Sequence, residues 1–399
     1  MRILLAHDYY RSSAPSGEDA VFRNERALLE EKGIDVVLFE RFNDDIDDST
    51  LNKRLQVALD GAWSKGTYEQ LSNVIRRVHP DLAHFHNTFP LISPSAYAAC
   101  QDNAVPVVQT LHNYRFICPG ALLMRDGHPC EDCVGTNFLP ALLHRCYRRS
   151  LPGTGAVVWM LSSNRLRGAY DTLVNRYIAL TNFAASRLIA GGLPESRMEV
   201  KANFLPNAPD MGFGGGNYAV YVGRLSEEKG VRTLLEAWRQ VDGFPLKILG
   251  DGPLRHELEE QARRGALSVE FLGFRPREDI LEVVSNADVQ VIPSECYEGF
   301  PIVVLEAYAC GTPILASRIG SLDEIVVEEE SGIKFEAGDP GDLAKKLNGL
   351  LADRSRLHAM RPKARALFEE NYTADQSYIK LLEIYHRALA DFDEARGRQ

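Results

Sequence analysis

Two glutamates stand eight positions apart in SECYEGFPIVVLEAYACGTP, residues 294–313. Between Glu298 and Glu306 the chain is almost wholly apolar, which is typical of a buried segment. Because Pro301 suits the first turn of a helix, we expect Glu298 in the loop before that helix and Glu306 two turns along it. Eight helical residues cover roughly 12 Å, about the span from a sugar ring across a diphosphate to a ribose. The two glutamates alone could equally be the solvated ends of a buried helix.

Two cations precede this segment in the chain. The stretch YVGRLSEEKGVRTLLEAW puts Arg224 and Lys229 directly after a predicted strand, at the entry to a helix. Cations at the carboxyl end of a parallel strand can hold phosphate oxygens. The unpaired N–H groups of Ile302 and Val303, at the start of the helix predicted above, would add an anion site. In isolation such cations are usually solvated charge, but together with Glu298 they favour a ligand that carries both phosphates and hydroxyls.

The elements that must position these residues alternate along the whole chain. Short apolar runs are separated by helical stretches such as AVFRNERALLEEKG, whose last Gly suits a helix C-cap. This alternation is typical of βαβ units and predicts the α/β class, with parallel sheets covered on both faces. Ligands of such sheets bind beyond the carboxyl ends of the strands. The predicted strands lie at 2–10, 35–41, 82–87, 105–113, 177–181, 218–225, 245–252, 268–274, 287–294, 312–317 and 332–337.

A segment rich in Pro, Gly and Asn divides the chain. LPNAPDMGFGGGN, residues 205–217, has no apolar periodicity and is typical of an interdomain linker. We therefore expect two Rossmann-like, doubly wound domains that face one another across a cleft, at 1–205 and 218–375, with 206–217 as the linker. The last stretch, 376–399, is expected to form a helix that packs back on the N-terminal domain.

Composition limits the classes of protein that the chain could belong to. Of its 399 residues 45% are hydrophobic and 25% charged, as in an ordinary globular protein. A formal net charge of −10 argues against a nucleic-acid partner. No apolar run approaches the ~20 residues of a membrane span, and MRILLAHDYY lacks the apolar core of a signal peptide. We expect a cytoplasmic protein.

The segments GRLSEEKG, ILGDGP, FLGF and PSECYEGFPIVVLEAYACGTPILAS resemble the C-terminal domain of retaining GT-B glycosyltransferases, the large GT4 family (glycosyl transferases group 1). The resemblance covers most of the chain and is strongest from 218 to 340. It implies the GT-B fold and the transfer of a sugar from a nucleotide-sugar donor with retention of configuration. In that family the first glutamate contacts donor-sugar hydroxyls, the second contacts the ribose, and the Arg/Lys pair contacts the diphosphate. Carried over, these roles fall on Glu298, Glu306, Arg224 and Lys229.

The resemblance implies further donor-binding positions in the second half. Where the family often has Gly after Phe300, this chain has Pro301, which removes one donor N–H. Phosphate binding is therefore expected to pass to the next two residues, Ile302 and Val303. Phe274 and Arg275 are expected to border the base of a UDP- or GDP-sugar.

The N-terminal half resembles the family more loosely. His112, in TLHNY at the end of a predicted strand, is similar to the family's cleft histidine near the transferred sugar, although a lone His at a strand end is more often structural. The family often carries a Gly-Gly loop after its first strand, where backbone amides approach the diphosphate. Here APSGEDAVF contains only Gly17, and Glu18 and Asp19 could instead cap the helix that follows.

The resemblance also implies a mechanism and leaves alternatives open. Because no D-x-D occurs at a strand end, we expect metal-independent transfer with no catalytic cofactor, in which cations and helix amides neutralise the leaving diphosphate. His112, Glu298, Arg224 and Lys229 are the expected catalytic residues. The acceptor could be a lipid-linked or growing surface glycan or a soluble small molecule, and a catalytically silent sugar-nucleotide-binding scaffold is a third possibility. A dehydrogenase is excluded, since the first strand is not followed by G-x-G-x-x-G, and no G-x4-GK[ST] occurs.

A cysteine-rich insert, at about 116–150, follows the fourth predicted strand. Its spacing is C-x11-C-x2-C-x12-C, which could surround a tetrahedral structural zinc with His128 or His144 as substitute ligands. The alternatives are four reduced thiols or a redox pair in the C-x2-C segment. The four cysteines are Cys118, Cys130, Cys133 and Cys146.

A basic stretch overlaps the end of this insert. Between residues 141 and 178 there are six arginines and one acid, Asp171, with Tyr147, Trp159 and Tyr170 interleaved. A solvated face is the ordinary interpretation of such a run. Since each basic residue near an anionic lipid surface contributes ~1 kcal/mol, we expect peripheral contact with the inner face of a membrane. The six arginines are Arg145, Arg148, Arg149, Arg165, Arg167 and Arg176.

Overall fold

The structure, a computed structural model, describes residues 1–13, 16–47, 49–135 and 137–397. The chain divides into two units, which are considered one at a time. Unit 1 comprises Met1–Leu123, Glu131–Asn203 and the chain from Ser377 onward, whereas unit 2 comprises Met124–Cys130 and Phe204–Gln376.

Each unit is built on a six-stranded parallel sheet. The strands are β1 (Arg2–Tyr9), β2 (Asp35–Phe42), β3 (Leu82–Phe85), β4 (Val107–Leu111), β5 (Met124–Arg125), β6 (His128–Pro129), β7 (Arg176–Ala179), β8 (Met198–Val200), β9 (Ala219–Val222), β10 (Leu246–Leu249), β11 (Val269–Gly273), β12 (Val289–Ile292), β13 (Ile314–Ser317) and β14 (Gly332–Phe335). The strand order is β2-β1-β3-β4-β7-β8 in unit 1 and β11-β10-β9-β12-β13-β14 in unit 2, while β5 and β6 form an antiparallel pair. In both sheets the order reverses beside the first strand of the unit, and this is where doubly wound sheets bind ligands.

Helices connect the strands. They are α1 (Gly17–Glu31), α2 (Leu51–Ala62), α3 (Lys65–Val78), α4 (Ser95–Asp102), α5 (Leu139–His144), α6 (Leu151–Leu166), α7 (Ala169–Thr172), α8 (Asn182–Ala190), α9 (Val231–Trp238), α10 (Arg255–Arg264), α11 (Arg277–Asn286), α12 (Ile302–Ala309), α13 (Gly320–Ile325), α14 (Pro340–Ala352), α15 (Arg354–Asn371) and α16 (Ala374–Gly397). Short 3-10 helices occur at Asn43–Asp45, Glu195–Arg197 and Glu227–Lys229. Among the described residues, no helix combines the length and the apolar character that crossing a bilayer requires.

Each of the eleven strands predicted from the sequence overlaps a strand of the structure. Parallel strands buried on both faces have nearly continuous apolar sequences, and this is why the sequence predicts them. Three short strands were missed. β8 has only three residues, MEV, and β5 and β6 have two residues each, so none of them offers a pattern long enough to recognise.

The start of α1 shows which acidic residue caps it. Ser16 is the N-cap: its hydroxyl accepts from the amide of Glu18 at 3.3 Å, and the Asp19 carboxylate accepts from the amide of Ser16 at 3.4 Å. This is a capping box, which satisfies two amides that the helix itself leaves unpaired. The expectation that both acids cap the helix is therefore correct for Asp19 alone, and the Glu18 side chain lies elsewhere. Gly17 is exposed, with open space where a Cβ would stand.

The C-terminal helix α16 completes the core of unit 1. Leu381, Ile384 and Tyr385 are buried in one cluster with Ile3 and Leu5 of β1. Full burial of each such side chain contributes roughly 1.5–3 kcal/mol, so α16 is part of the hydrophobic core of the unit that begins with β1.

The segment between the two sheets is hydrogen-bonded to unit 2. The amides of three of its glycines donate to carbonyls of that unit: Gly212 to Cys310 at 2.9 Å, Gly214 to Ser285 at 3.2 Å and Gly216 to Asn286 at 3.0 Å. The segment that the sequence marks as 206–217 is therefore fixed to unit 2 over much of its length.

Candidate functional site

Two loops at the carboxyl ends of β9 and β12 meet because glycine allows close backbone contact. Gly230 has φ +64°, and a Cβ there would lie 1.8 Å from the carbonyl oxygen of Pro293. Only glycine permits this approach. The amide of Glu295 then donates to the carbonyl of Glu228 at 3.0 Å, which joins the two loops.

This junction brings Lys229 to Glu298. The Lys229 Nζ lies 2.6 Å from Glu298 Oε1, and the Ser294 hydroxyl donates to the same oxygen at 2.7 Å. Burial alone would lower the pKa of Lys229, but the Glu298 carboxylate outweighs burial, and the pKa is raised. Lys229 is therefore a cation at neutral pH, and Glu298 keeps its second oxygen, Oε2, outside both of these bonds.

Arg224 follows β9 and is exposed. Its backbone carbonyl accepts from the Tyr221 hydroxyl at 2.8 Å, which fixes the main chain at this position. Within the described ranges no hydrogen bond or ion pair engages its guanidinium. An exposed, positioned guanidinium is suited to bind phosphate oxygens in two-point contacts.

Glu306 lies on α12, eight residues beyond Glu298, and is buried. Burial raises its pKa to about 7, although the cation of Arg277, at 3.6 Å, partly opposes this. No side chain caps α12, whose N-cap residue is Pro301. The amides of Ile302 and Val303 therefore stand at an uncapped helix N-terminus, which favours an anion.

The two phenylalanines of the predicted donor site have different environments. Phe274, directly after β11, is 81% exposed, an unusual position for an aromatic ring with no partner to cover it. Phe300 is buried and packs edge-on against Tyr372, with the ring centroids 5.6 Å apart. Phe274 is thus available to stack on a ligand, whereas Phe300 supports the loop before α12.

In unit 1, His112 follows β4 and is joined to a buried network. His86, which follows β3, lies between His112 and Glu25: its Nδ1 is 2.9 Å from His112 Nε2 and its Nε2 is 3.0 Å from Glu25 Oε1. The Lys201 Nζ is 3.1 Å from Glu25 Oε2. His84 Nδ1 is 3.1 Å from Glu25 Oε1, so both oxygens of this carboxylate are engaged.

The charges in this network follow from burial and pairing. Burial alone would raise the pKa of Glu25, but the Lys201 ammonium and the two imidazoles hold it well below its usual range. Burial lowers the pKa of His86 to about 4, and the pKa of His112 is also lowered by burial and by neighbouring His86. At neutral pH Glu25 is therefore ionised beside Lys201, and the imidazoles of His86 and His112 are neutral.

A pocket of about 300 Å³ lies beyond β3 and β4, and its lining includes His86, His112, Asn113 and Glu18. The Asn113 amide donates to Glu18 Oε1 at 2.8 Å, and the Tyr10 hydroxyl donates to Glu18 Oε2 at 3.1 Å. Burial raises the pKa of Glu18 despite these two bonds. The pocket therefore combines a carboxyl, an imidazole and an amide, all of which can hydrogen-bond to hydroxyl groups.

Comparison with known proteins decides the family. The model described as Glycosyltransferase Family 4 matches residues 20–206, and the model described as Glycosyl transferases group 1 matches residues 210–367. The chain belongs to the GT4-type glycosyltransferases. An uncharacterised glycosyltransferase of Methanocaldococcus jannaschii is 34% identical over 136 residues, which are 34% of this chain and 38% of that protein. The glycogen synthase of Mycobacterium tuberculosis is 29% identical over 292 residues, which are 70% of this chain and 62% of that protein.

A solved structure shows the fold of this GT4-type chain. HepE from Anabaena, crystallised in complex with UDP, superposes with a TM-score of 0.67 at 19% identity, covering 97% of this chain and 100% of HepE. The fold is therefore GT-B, with two Rossmann-like α/β units. The chain spans between about two fifths and three fifths of the length of the first curated relatives that it matches.

The four cysteines of the insert in this GT4-type chain are free cysteines rather than members of disulfides. Cys118 and Cys133 are buried, and a Cβ on Gly120 would lie 3.7 Å from Cys118 Sγ and 3.8 Å from Cys146 Cβ. In the described part of the chain, the set of three or more metal-ligand atoms within 4.8 Å of one another is Glu25, His84 and His86, and it includes none of these thiols. Zinc binding by the cysteines stays a prediction, which metal analysis of the purified protein by mass spectrometry tests.

Of the six arginines in the basic stretch, four have exposed side chains in the structure. Arg165 turns inward, where its Nη2 donates to the carbonyls of Phe116 and Gly191 at 2.9 and 2.7 Å. Arg176 pairs with Glu199 at 3.4 Å and also with Asp391. The other four arginines are exposed: Arg145, Arg148, Arg149 and Arg167.

Exposed apolar side chains accompany these arginines on α5 and α6. Leu143 is 71% exposed and Leu166 is 90% exposed. On α6, Leu151, Trp159 and Leu166 are eight and seven residues apart, which places them within about 80° of one another around the helix. Of the interleaved aromatic residues, Trp159 is exposed, whereas Tyr170 is buried. The surface of α5 and α6 is thus amphipathic.

Sequence reasoning missed the residues that support His112. His84 and His86 were visible as two polar residues in the predicted strand LAHFHN, where an apolar residue is expected. Glu25 occupies a similar buried position in α1. Nothing local marks Lys201, because it follows β8, which was not recognised, and its partner is 176 residues away.

Proposed function

We propose that this chain transfers a sugar, with retention of configuration, from a nucleotide-sugar donor to an acceptor glycan. The observation that carries the proposal is the group at the strand ends of unit 2, where the Lys229–Glu298 pair lies in the same loops as exposed Arg224 and precedes the uncapped start of α12. Such a group offers cations to a diphosphate and carboxylates to hydroxyls. The complexes of HepE with UDP and with UDP-glucose support a UDP-sugar as the first donor to test.

Different residues of unit 2 bind different parts of the donor. Arg224, Lys229 and the amides of Ile302 and Val303 hold the diphosphate. Glu298 accepts hydrogen bonds from sugar hydroxyls, and Glu306 accepts them from the ribose. Phe274 stacks on the base, as exposed aromatic rings do in base recognition.

Chemistry follows from this division. As the bond between the anomeric carbon and the diphosphate oxygen breaks, negative charge grows on the leaving group, and the fixed cations stabilise it. Glu298 holds the hexose while positive charge develops at the anomeric carbon, and His112 of unit 1 contacts a hydroxyl of the transferred sugar. We propose that these groups suffice without a divalent metal, so that transfer continues in excess EDTA.

The acceptor is proposed to be a lipid-linked or growing surface glycan. The amphipathic surface of α5 and α6 supports this, because its four exposed arginines and its exposed Leu143, Trp159 and Leu166 fit the headgroups and the acyl boundary of an anionic membrane. Sedimentation with anionic and neutral liposomes tests the contact. Binding to neither type would instead favour a soluble small-molecule acceptor.

Calorimetric titration with UDP-, GDP- and ADP-sugars tests the donor, and NMR of the anomeric proton in the product tests retention. We expect one nucleotide class to bind and to be slowly hydrolysed even without acceptor, and Glu298→Ala and Lys229→Ala to reduce hydrolysis strongly. Arg239→Ala is the matched control, because Arg239 is exposed on unit 2 and, among the residues that the structure describes, its ion pair is with neighbouring Glu236. If no sugar nucleotide binds at millimolar concentration, the proposal is wrong; if one binds and is never cleaved, the chain is a scaffold rather than an enzyme.

A further inference from the structure

An unbroken line of hydrogen-bonding atoms runs from Lys201 to His112 inside unit 1. It passes from the Lys201 Nζ to Glu25 Oε2 at 3.1 Å, from Glu25 Oε1 to His86 Nε2 at 3.0 Å, and from His86 Nδ1 to His112 Nε2 at 2.9 Å. Glu25 and Lys201 are 2% and 7% exposed. Because these groups are buried, water cannot replace their hydrogen-bond partners. The position of each proton is therefore determined by the hydrogen bonds of this series.

The carboxylate of Glu25 fixes the first proton. Because it is ionised beside Lys201, it can only accept, and His86 Nε2 must carry the hydrogen that it receives. Burial keeps His86 neutral at pH 7, so its other nitrogen, Nδ1, carries a lone pair. The reverse arrangement would place a lone pair of His86 against the carboxylate at 3.0 Å, which is repulsive.

The second proton follows from the first. Since His86 Nδ1 is an acceptor, His112 Nε2 must donate to it, and His112 is therefore the tautomer protonated at Nε2. Its remaining nitrogen, Nδ1, is an acceptor. An acceptor can bind a hydroxyl group, which donates, but it repels a phosphate oxygen.

We propose that Lys201, Glu25 and His86 are positioning residues, which fix the tautomer of His112 so that its Nδ1 accepts a hydrogen bond from a sugar hydroxyl. The proposal deepens the proposed function, on which the identity of the hydroxyl rests, but the tautomer itself rests on geometry alone. It predicts that His112 distinguishes a sugar nucleotide from the bare nucleotide.

A metal ion is the competing interpretation of this cluster, since Glu25, His84 and His86 offer ligand atoms within 4.8 Å of one another. However, the Lys201 ammonium already neutralises Glu25, and a cation between the three ligands would lie against it. The remaining nitrogen of His84 is also engaged, because its Nε2 is 2.8 Å from the Thr110 hydroxyl. The ligand atoms of this cluster are therefore engaged in hydrogen bonds and in the ion pair with Lys201 rather than in binding a metal ion.

The tautomer can be measured directly on the full chain labelled with ¹⁵N-histidine. Two-bond ¹H–¹⁵N spectra at pH 7 distinguish a protonated ring nitrogen from a bare one, and the signals that disappear in His112→Phe assign that ring. We expect a protonated Nε2 and a bare Nδ1 without any ligand. A bare Nε2 on His112 would overturn the proposal whether or not the chain is a transferase.

Three variants separate positioning from simple structural support. His86→Gln can still donate to Glu25 through its amide and accept from His112 through its carbonyl, so we expect the tautomer and the affinity for the sugar nucleotide to be kept. His86→Leu removes the acceptor, and we expect a mixture of His112 tautomers. Glu25→Gln can donate to His86 Nε2 and so should move the proton of His112 to Nδ1.

Binding supplies the second readout. For His86→Leu we expect the Kd of the donor sugar nucleotide to rise about fivefold, as the loss of one hydrogen bond implies, while the Kd of the bare nucleotide stays within about twofold. Unchanged melting of His86→Gln serves as the folding control. If both affinities fell equally, or if His86→Leu kept a single Nε2-protonated tautomer, the network would be structural only and the proposal would fail.

Discussion

The two candidate sites of the molecule use polar groups in opposite ways. In unit 2 the charged side chains of the two loops are in part accessible: Arg224 is exposed, and Lys229 and Glu298 retain 28% and 13% of their side-chain exposure. In unit 1 the charges are buried, and Glu25 and Lys201 act on the pocket only through the neutral imidazoles of His86 and His112. The difference leads us to propose that unit 2 binds the charged part of the donor, whereas the pocket of unit 1, which Arg115 also lines, offers hydrogen-bonding partners to hydroxyl groups.

The largest test of this comparison removes the buried cation. Lys201→Met leaves Glu25 ionised and unpaired in unit 1, and breaking a buried pair in this way costs about 3–5 kcal/mol. Differential scanning calorimetry should show a much lower melting temperature, whereas titration with the nucleotide should show an unchanged Kd, because we propose that unit 2 binds the nucleotide. Lys65→Met is the control, because Lys65 forms only an exposed pair with Glu69. Equal melting of the two variants would contradict the ion pair described for unit 1.

The partly buried cation of unit 2, Lys229, should affect chemistry more than folding. Lys229→Ala removes a charge that stabilises the leaving diphosphate, and we expect kcat/KM for donor hydrolysis to fall by about 10²–10³. Lys229→Arg should recover part of this loss, since it keeps the charge but changes the geometry. A drop in melting temperature as large as that of Lys201→Met, with kcat/KM unchanged, would mean that Lys229 is structural.

The carboxyl of Glu306 sharpens the comparison through pH. Its pKa of about 7 in the folded chain lies above the ordinary value of 4.5, so the folded state holds its proton more tightly than the unfolded state. The free energy of unfolding should therefore fall as the pH rises from about 4.5 through 7, by on the order of 2 kcal/mol between pH 5 and 8. Chemical denaturation across this range should show the loss in the unmodified chain and not in Glu306→Gln.

Nucleotide binding should depend on pH with the opposite sign. If ribose hydroxyls donate to the ionised form of Glu306, as proposed, the Kd of the nucleotide should decrease between pH 6 and 8, and Glu306→Gln should remove this part of the dependence. A Glu306→Gln variant with the same pH profile as the unmodified chain would show that the ribose does not contact Glu306.

The smallest effect is expected for Arg224. Because its guanidinium is exposed, its contribution is screened by salt, and Arg224→Ala should weaken nucleotide binding about fivefold at low ionic strength and less at 0.5 M salt. Arg239→Ala should leave the Kd unchanged at both salt concentrations. If the loss for Arg224→Ala does not change with salt, then the residue acts by packing rather than by charge.

The sequence was sufficient where local pattern decides the structure. Continuous apolar runs located the eleven longer strands, and the motif around Glu298 located the loops after β9 and β12. It was insufficient where the outcome depends on distant partners. Arg165 and Arg176 belong to a stretch whose sequence is typical of a basic surface. In the structure Arg165 donates to backbone carbonyls and Arg176 pairs with carboxylates, so neither charge remains at the surface. The Glu25–Lys201 pair was not predicted for the same reason, since no local stretch of the sequence contains both residues.

The roles of the individual site residues could be inferred only from the family resemblance. Spacing alone placed Glu298 in a loop and Glu306 on a helix, but it could not show that Lys229 pairs with the first and Arg277 approaches the second. The first of these contacts depends on the close approach at Gly230, and the second on how α11 lies beside α12, and both are properties of the assembled backbone rather than of any motif.

The position of α16 has a consequence for biosynthesis. The helix that carries Ile384 and Tyr385 is the last part of the described chain to leave the ribosome, yet it completes the core around β1, which is the first. Unit 1 must therefore wait with part of its core uncovered until α16 has been synthesised, while unit 2, which lies between β1 and Ser377 in the chain, can fold earlier. Premature termination just before Ser377 would consequently damage the unit at the beginning of the chain more than the one beside the break.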